Sequence, residues 1–129
     1  MNPMSHLSGK FVCFDVRFCE SSTPENVSVT ALSMGVAWAT ASMTRFPEYW
    51  WVDRVVVKPR ARRQGLGSEC LRRALRLAQT QGGPREVVVA PGGYGTPLAD
   101  QVAFYQSLGF DHEGDVGLWL SLGSCKLSA

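Results

Sequence analysis

The apolar and polar positions along this chain change their period twice. From Lys10 to Cys19 the residues Phe11, Val12, Phe14, Val16 and Phe18 predict a first strand. Glu20 to Asn26 carries two Ser, a Thr and a Pro, which is loop chemistry. Val27 to Met43 holds strand-forming Val, Thr and Trp with one glycine, Gly35, and predicts one long strand or two with a bulge near Gly35. Phe46-Pro47 marks a turn, and Tyr49 to Val57 predicts a strand that ends at Lys58-Pro59. The pattern then becomes helical. Leu71, Ala74, Leu75 and Ala78 recur on one face until Gly82-Gly83-Pro84 stops the helix. Glu86 to Ala90 is a short apolar strand, and Pro91 to Gly95 a glycine-rich loop. Thr96 reads as a helix cap with Pro97 in the first helical position. Leu98, Val102, Tyr105 and Leu108 line one face of that helix, Gly109 ends it, and Val116 to Leu122 is a last strand. Strands followed by helix, strand, helix, strand predict an α/β or α+β domain with a mixed sheet, one domain over residues 1–129.

Composition removes several classes. Hydrophobic residues make up 45% and charged residues 19%, which fits a globular core and not a disordered or fibrous chain. The four cysteines, Cys13, Cys19, Cys70 and Cys125, form no C-x-x-C pair and no Cys/His cluster, so no metal site is expected. Val27 to Met43 is too short and too rich in Ser and Thr to span a membrane. The start of the chain has no signal-peptide pattern, and a cytoplasmic protein is expected. Net charge is only +2, but 7 of the 13 basic residues fall between Lys58 and Arg76. That window attracts an anion. It lacks the aromatic interleaving of a nucleic-acid module, so nucleic acid is not the expected partner.

The candidate chemistry lies where a strand feeds a basic, glycine-punctuated turn that opens a helix: Arg62-Arg63-Gln64-Gly65-Leu66-Gly67-Ser68 after Val55-Val56-Val57-Lys58-Pro59. The free N–H groups and positive dipole at such a helix start hold phosphate or pyrophosphate. Gly65 and Gly67 leave room for the backbone to approach a ligand. Arg62 and Arg63 add charge-assisted contacts. The run is neither a Walker loop nor a G-x-G-x-x-G fingerprint, since Cys70 stands at the third glycine position.

The turn resembles the cofactor motif of the GNAT-type N-acetyltransferase superfamily: Arg or Gln, two residues, Gly, one residue, then Gly or Ala. Phe104-Tyr105-Gln106-Ser107-Leu108-Gly109-Phe110 is similar to that family's F-Y-x-x-L-G-F run, one helix and one strand further on. The resemblance covers residues 49–122. It implies a mixed, mostly antiparallel central sheet, flanked by helices, with splayed fourth and fifth strands. It implies acetyl-coenzyme A as co-substrate, its pantetheine arm along Val55, Val56 and Val57 and its pyrophosphate on the amides of Gln64, Gly65, Leu66, Gly67 and Ser68. It also implies direct attack of a primary amine on the thioester, the amine belonging to a small molecule, an amino acid or a protein.

Tyr105 matches the family's proton donor to the departing thiolate, although its spacing suits a core tyrosine as well. Asp53 is the candidate base, expected by alternation to share a face with Trp51, Val55 and Val57. A strand-edge ion pair or a water-relayed proton path is the other reading. The chain departs from the family at Trp51, where many members have Glu, and at Leu98, where many have Asn. These departures leave a second function open, an acyl-coenzyme-A-binding protein without catalysis. Trp50-Trp51 suits an acceptor pocket or plain core packing. Arg72, Arg73 and Arg76 suit a 3′-phosphate or a solvated helix face. Residues 20–26 leave room for at most a turn where the family has two helices, so those helices are expected to be reduced or absent. The acceptor side would then be open or completed by a second subunit, as in a homodimer.

Overall fold

A computed structural model describes residues 15–92, 96–114 and 117–122. The described residues form β1 (Arg17–Ser22), β2 (Asn26–Ser33), β3 (Val36–Arg45), β4 (Trp50–Val57), a 3-10 turn at Pro59–Ala61, α1 (Leu66–Gln81), β5 (Glu86–Val89), α2 (Leu98–Ser107), β6 (His112–Gly114) and β7 (Gly117–Ser121). The strands build one sheet in the order β1-β2-β3-β4-β5-β7-β6. Every neighbouring pair is antiparallel except β4–β5, which is parallel. No described helix is long and apolar enough to cross a membrane.

The core forms where α1 lies on one face of the sheet. Val27, Val29 and Ala31 of β2, Ala39, Ala41 and Met43 of β3, and Trp50 and Val52 of β4 are all buried. They meet Leu66, Cys70, Leu71, Ala74, Leu75 and Ala78, the apolar stripe of α1. Alanines on both surfaces bring the helix close. Each fully buried Leu or Val contributes about 1.5–3 kcal/mol by removal from water. The stripe starts at Gly67, where an added Cβ would stand 2.9 Å from Val57 Cγ2 and 3.5 Å from Val55 Cγ1. Gly82 closes α1 in the left-handed conformation, φ 73°. Burial pushes the Cys70 thiol up to about 12, so it is an inert core group despite its place near the start of α1.

Several boundaries differ from the expected ones. The first strand is Arg17–Ser22, and the part of the expected Lys10–Cys19 strand up to residue 14 lies outside the described residues. The expected 20–26 loop shrinks to Thr23-Pro24-Glu25, so no helix separates β1 from β2. α1 holds β1 down instead. Arg73 reaches Glu20 at 3.5 Å and stacks 4.3 Å over the Phe18 ring, while Gln81 Nε2 donates to Ser22 Oγ at 2.9 Å and to Thr23 O at 2.6 Å.

Of the two expectations for 27–43 the structure takes the second, two strands, and joins them by a tight hairpin. Met34 and Gly35 turn it with φ 53° and 77°, the left-handed pair of a two-residue connection. The bulge lies at Ala31/Leu32, not at Gly35. α2 starts at Leu98 with Pro97 in the cap position, one residue later than expected, and Thr96 makes no capping bond. Leu98 is 58% exposed and does not belong to the apolar face of α2, which is carried by Tyr105 and Leu108. β6 was not foreseen, since three residues around His112 carry no strand pattern. Val116, the expected start of the last strand, lies outside the described residues.

Two outcomes are expected. Gly67→Ala should lower stability by about 1–3 kcal/mol in urea denaturation, because the added Cβ would stand 2.9 Å from Val57 Cγ2, a stiff branch next to the backbone that must shift to admit it. Cys70 stays protonated in the folded chain while an unfolded thiol ionises near 9.0. Its contribution is therefore complete below that pH and is lost as pH rises toward about 12. Melting temperature should fall as pH rises from about 9 toward about 12, and Cys70→Ala should remove part of that slope.

Candidate functional site

The site begins with a mismatch between β3 and β4. Met43 pairs with Val52 and Ser42 with Arg54, which leaves Asp53 as an extra residue without a partner. The bulge changes the phase of the strand. Trp50 and Val52 point to α1, Asp53 and Arg54 are both exposed, and then Val55 and Val57 turn back toward α1 at Gly67. Asp53 therefore does not share a face with Val55 and Val57, as simple alternation predicted. It stays on the face of Trp51, where Thr44 Oγ1 donates to its Oδ2 at 2.6 Å.

β4 and β5 pair only at Trp50–Val87 and Trp51–Val88. Beyond those two positions the strands part. The far side of β4 from Val52 to Val57 then has no strand partner, and a cleft of about 510 Å³ opens there. One wall is β4 and Arg62. The other is Val89, Ala90, Gly92 and the α2 residues Asp100, Gln101, Phe104 and Tyr105. Gln101 holds the second wall together: its Oε1 accepts from the Gly92 N–H at 2.8 Å and its Nε2 donates to Thr96 O at 2.9 Å. Of the expected glycine-rich loop, residues 93–95 lie outside the described residues.

At one end of β4 the chain turns into α1. Lys58 N–H donates to Trp38 O at 2.9 Å, and Ala61 N–H returns to Lys58 O at 2.9 Å. Arg63 (φ 64°) and Gly65 (φ 80°) are both left-handed, which winds the chain tightly into the helix. The first α1 bond is Glu69 N–H to Gly65 O at 3.0 Å. The N–H groups from Gln64 to Ser68 thus have no acceptor among the described residues. Arg62 lines the cleft and donates weakly to Val57 O at 3.4 Å. Gly65 is required by its φ. Gly67 is required by the contact with β4, so its missing Cβ serves packing and not ligand approach.

Further along the second wall stands Tyr105, packed edge-on between Phe104 and Phe110 at 5.1 and 5.7 Å. Burial raises its pKa above the ordinary phenol value, so it stays protonated near neutral pH. Its hydroxyl has no partner among the described residues.

The cleft brings together Asp53, Val55, Val56, Val57, Arg62 and Tyr105. Arg63 and the residues from Gln64 to Ser68 sit at its end and do not line it. Arg73 is committed to Glu69 at 2.8 Å and to Glu20, and Arg72 stands 3.7 Å from Glu69, so these two belong to the helix surface. Trp50 is fully buried core. Sequence reasoning missed Thr44, Asn26 and Gln101. Their types are common on strand and helix surfaces, and only the register places them beside the site.

The chain matches the family model described as Acetyltransferase (GNAT) family over residues 9–110. No curated protein sequence matches it. Among solved structures it is similar to the ribosomal-protein-S18-alanine N-acetyltransferase from Escherichia coli: 18% identity, TM-score 0.61, 78% of this chain and 72% of that one. It is similar to a GNAT-family acetyltransferase from Desulfovibrio desulfuricans at 19% identity and TM-score 0.64, over 76% of this chain and 70% of that one. PaiA N-acetyltransferase from Thermoplasma acidophilum, solved in complex with coenzyme A, shares 14% identity with TM-score 0.63, over 75% of this chain and 61% of that one. The mixed sheet with its single parallel β4–β5 junction is the fold these structures share. The match over residues 9–110, with that fold, makes this chain a member of the GNAT acetyltransferase family.

Proposed function

We propose that the chain, acting as one domain, binds acetyl-coenzyme A between β4 and β5 and transfers its acetyl group to a primary amine. The observation that carries this reading is the splay itself: an unpaired strand edge with free helix amides at one end and a buried phenol on the opposite wall. The unpaired groups of Val55, Val56 and Val57 suit an amide-bearing arm laid alongside as an added strand. The N–H groups of Gln64 to Ser68 suit a pyrophosphate, with Arg62 and Arg63 adding charge. The residues present therefore fit coenzyme A, the ligand with which the PaiA structure was solved.

Bound there, acetyl-coenzyme A supplies a thioester whose C–S bond breaks as the C–N bond to the amine forms. The cleft walls hold the two reactants in line, which is the larger part of the work. Tyr105 gives its phenolic proton to the departing sulfur, and its raised pKa keeps that proton in place. Asp53, exposed beside the cleft, takes one proton from an arriving ammonium group and so frees its lone pair, while the proton the nitrogen sheds after attack passes through water to restore Tyr105. The net change is thioester plus amine to amide plus thiol.

The test is direct. Acetyl-coenzyme A at about a hundredfold above Kd should stabilise the fold by about 2.7 kcal/mol, seen as a raised melting temperature. An alkylamine panel should release free thiol. Tyr105→Phe should lower kcat about a hundredfold while the thermal shift stays. The alkaline limb of the parent's kcat should lie above about pH 10 and vanish in Tyr105→Phe. No thermal shift would refute the reading. A shift without thiol release on any amine would select the non-catalytic coenzyme-A binder, which Trp51 and the exposed Leu98 favour.

A further inference from the structure

We propose that Thr44, supported by Asn26, is a positioning residue that fixes the Asp53 carboxylate for the acceptor's ammonium group. The inference rests on the acetyl-transfer reading above and adds to it the device that orients the acceptor side.

Thr44 stands on β3 opposite Trp51, so the Thr44 and Asp53 side chains are diagonal neighbours on the sheet face turned away from α1. The Thr44 hydroxyl has one proton. Asn26 Nδ2 donates to Thr44 Oγ1 at 3.1 Å, which occupies a lone pair of that oxygen. The proton is therefore directed to Asp53 Oδ2, at 2.6 Å. The chain Asn26→Thr44→Asp53 runs one way, and each bond polarises the next. Asn26 is anchored in turn: its backbone N–H donates to Thr23 Oγ1 at 3.0 Å in the β1–β2 turn, and its Nδ2 also reaches Met43 O at 3.4 Å.

The chemistry follows from what this chain lacks. All its members are neutral donors. No cation among the described residues forms an ion pair with Asp53, although Arg54 is adjacent in sequence. One carboxylate oxygen is fixed, the negative charge is not neutralised, and the second oxygen is left for a ligand. An arginine partner would hold Asp53 as firmly but would repel an ammonium ion. The bulge makes the arrangement specific to this strand, since it leaves Asp53 without a cross-strand partner and turns the next valines away.

The experiment compares ethylamine, an ammonium ion near neutral pH, with 2,2,2-trifluoroethylamine, of similar shape and largely uncharged there. Thr44→Val keeps the shape and removes the donor. It should lower kcat/KM for ethylamine about tenfold relative to the parent, and change that for trifluoroethylamine by less than about twofold. Thr44→Ser should restore the ethylamine rate. Asp53→Asn should lose more, and Thr44→Val added to Asp53→Asn should cost nothing further, because the two act through one carboxylate. A merely structural threonine would depress both amines equally and add its loss to that of Asp53→Asn; either result overturns the proposal. So does a parent that turns over neither amine while acetyl-coenzyme A still raises its melting temperature, which leaves the cofactor reading standing. Loss of the thermal shift itself would remove both.

Discussion

The close seat of α1 on β4 governs where everything else can be. Gly67 meets Val57 with no room for a Cβ, and Val55 lies just beyond. The helix start is thereby fixed against the far end of a strand whose other side has lost its neighbour. Without that contact the free amides of the turn and the open edge of β4 would have no set relation. The alanines of β2, β3 and α1 allow the approach, and the left-handed Arg63 and Gly65 make the chain reverse soon enough to achieve it. A non-glycine residue in that conformation costs about 1 kcal/mol or more, which the buried stripe of α1 offsets.

Most of this architecture was legible from the chain. The stripe Leu71, Ala74, Leu75, Ala78, the stop at Gly82 and the strand before Lys58-Pro59 are local signals, and each element stands close to where it was expected. The family resemblance implied a mixed, mostly antiparallel sheet with splayed fourth and fifth strands, and the structure adds that their short pairing is parallel. What stayed hidden depends on pairing between strands. Met34-Gly35 lacks the Asn or Asp that usually announces a two-residue hairpin, so the turn was hidden inside an apolar run. The bulge at Asp53 has no signature in sequence, because it is a property of two strands in register. It shifts the phase of Val55 and Val57, and an alternation argument cannot see that. Thr44 and Asn26 come from other strands for the same reason.

The two ends of the cleft differ in how they are built. The end proposed for the cofactor is made largely of backbone, shaped by glycines and by one helix start, with basic side chains beside it. The end proposed for the acceptor is made of side chains, Asp53 and Tyr105, each placed by packing or by neutral hydrogen bonds. Backbone recognition is carried by short contiguous motifs, whereas side-chain recognition is assembled from distant segments. That difference explains why a contiguous turn could be singled out from sequence, and Asp53 and Tyr105 one by one, but not the Thr44 and Asn26 that hold Asp53 from other strands.

The three-residue link Thr23-Pro24-Glu25 has a consequence for how the protein can change. β1 to β4 form an unbroken meander whose connections are all short, so a large part of the sheet is built from contacts near in sequence and is suited to early, rapid folding. The link is exposed and lies away from the β4–β5 gap. Loop tips of that kind tolerate insertion. This one is tied to its surroundings, with Thr23 O accepting from Gln81 of α1, Thr23 Oγ1 from the Asn26 N–H and Glu25 O from the Arg45 N–H. A segment inserted there would loosen the seat of β1 on the helix and the anchor of Asn26 together.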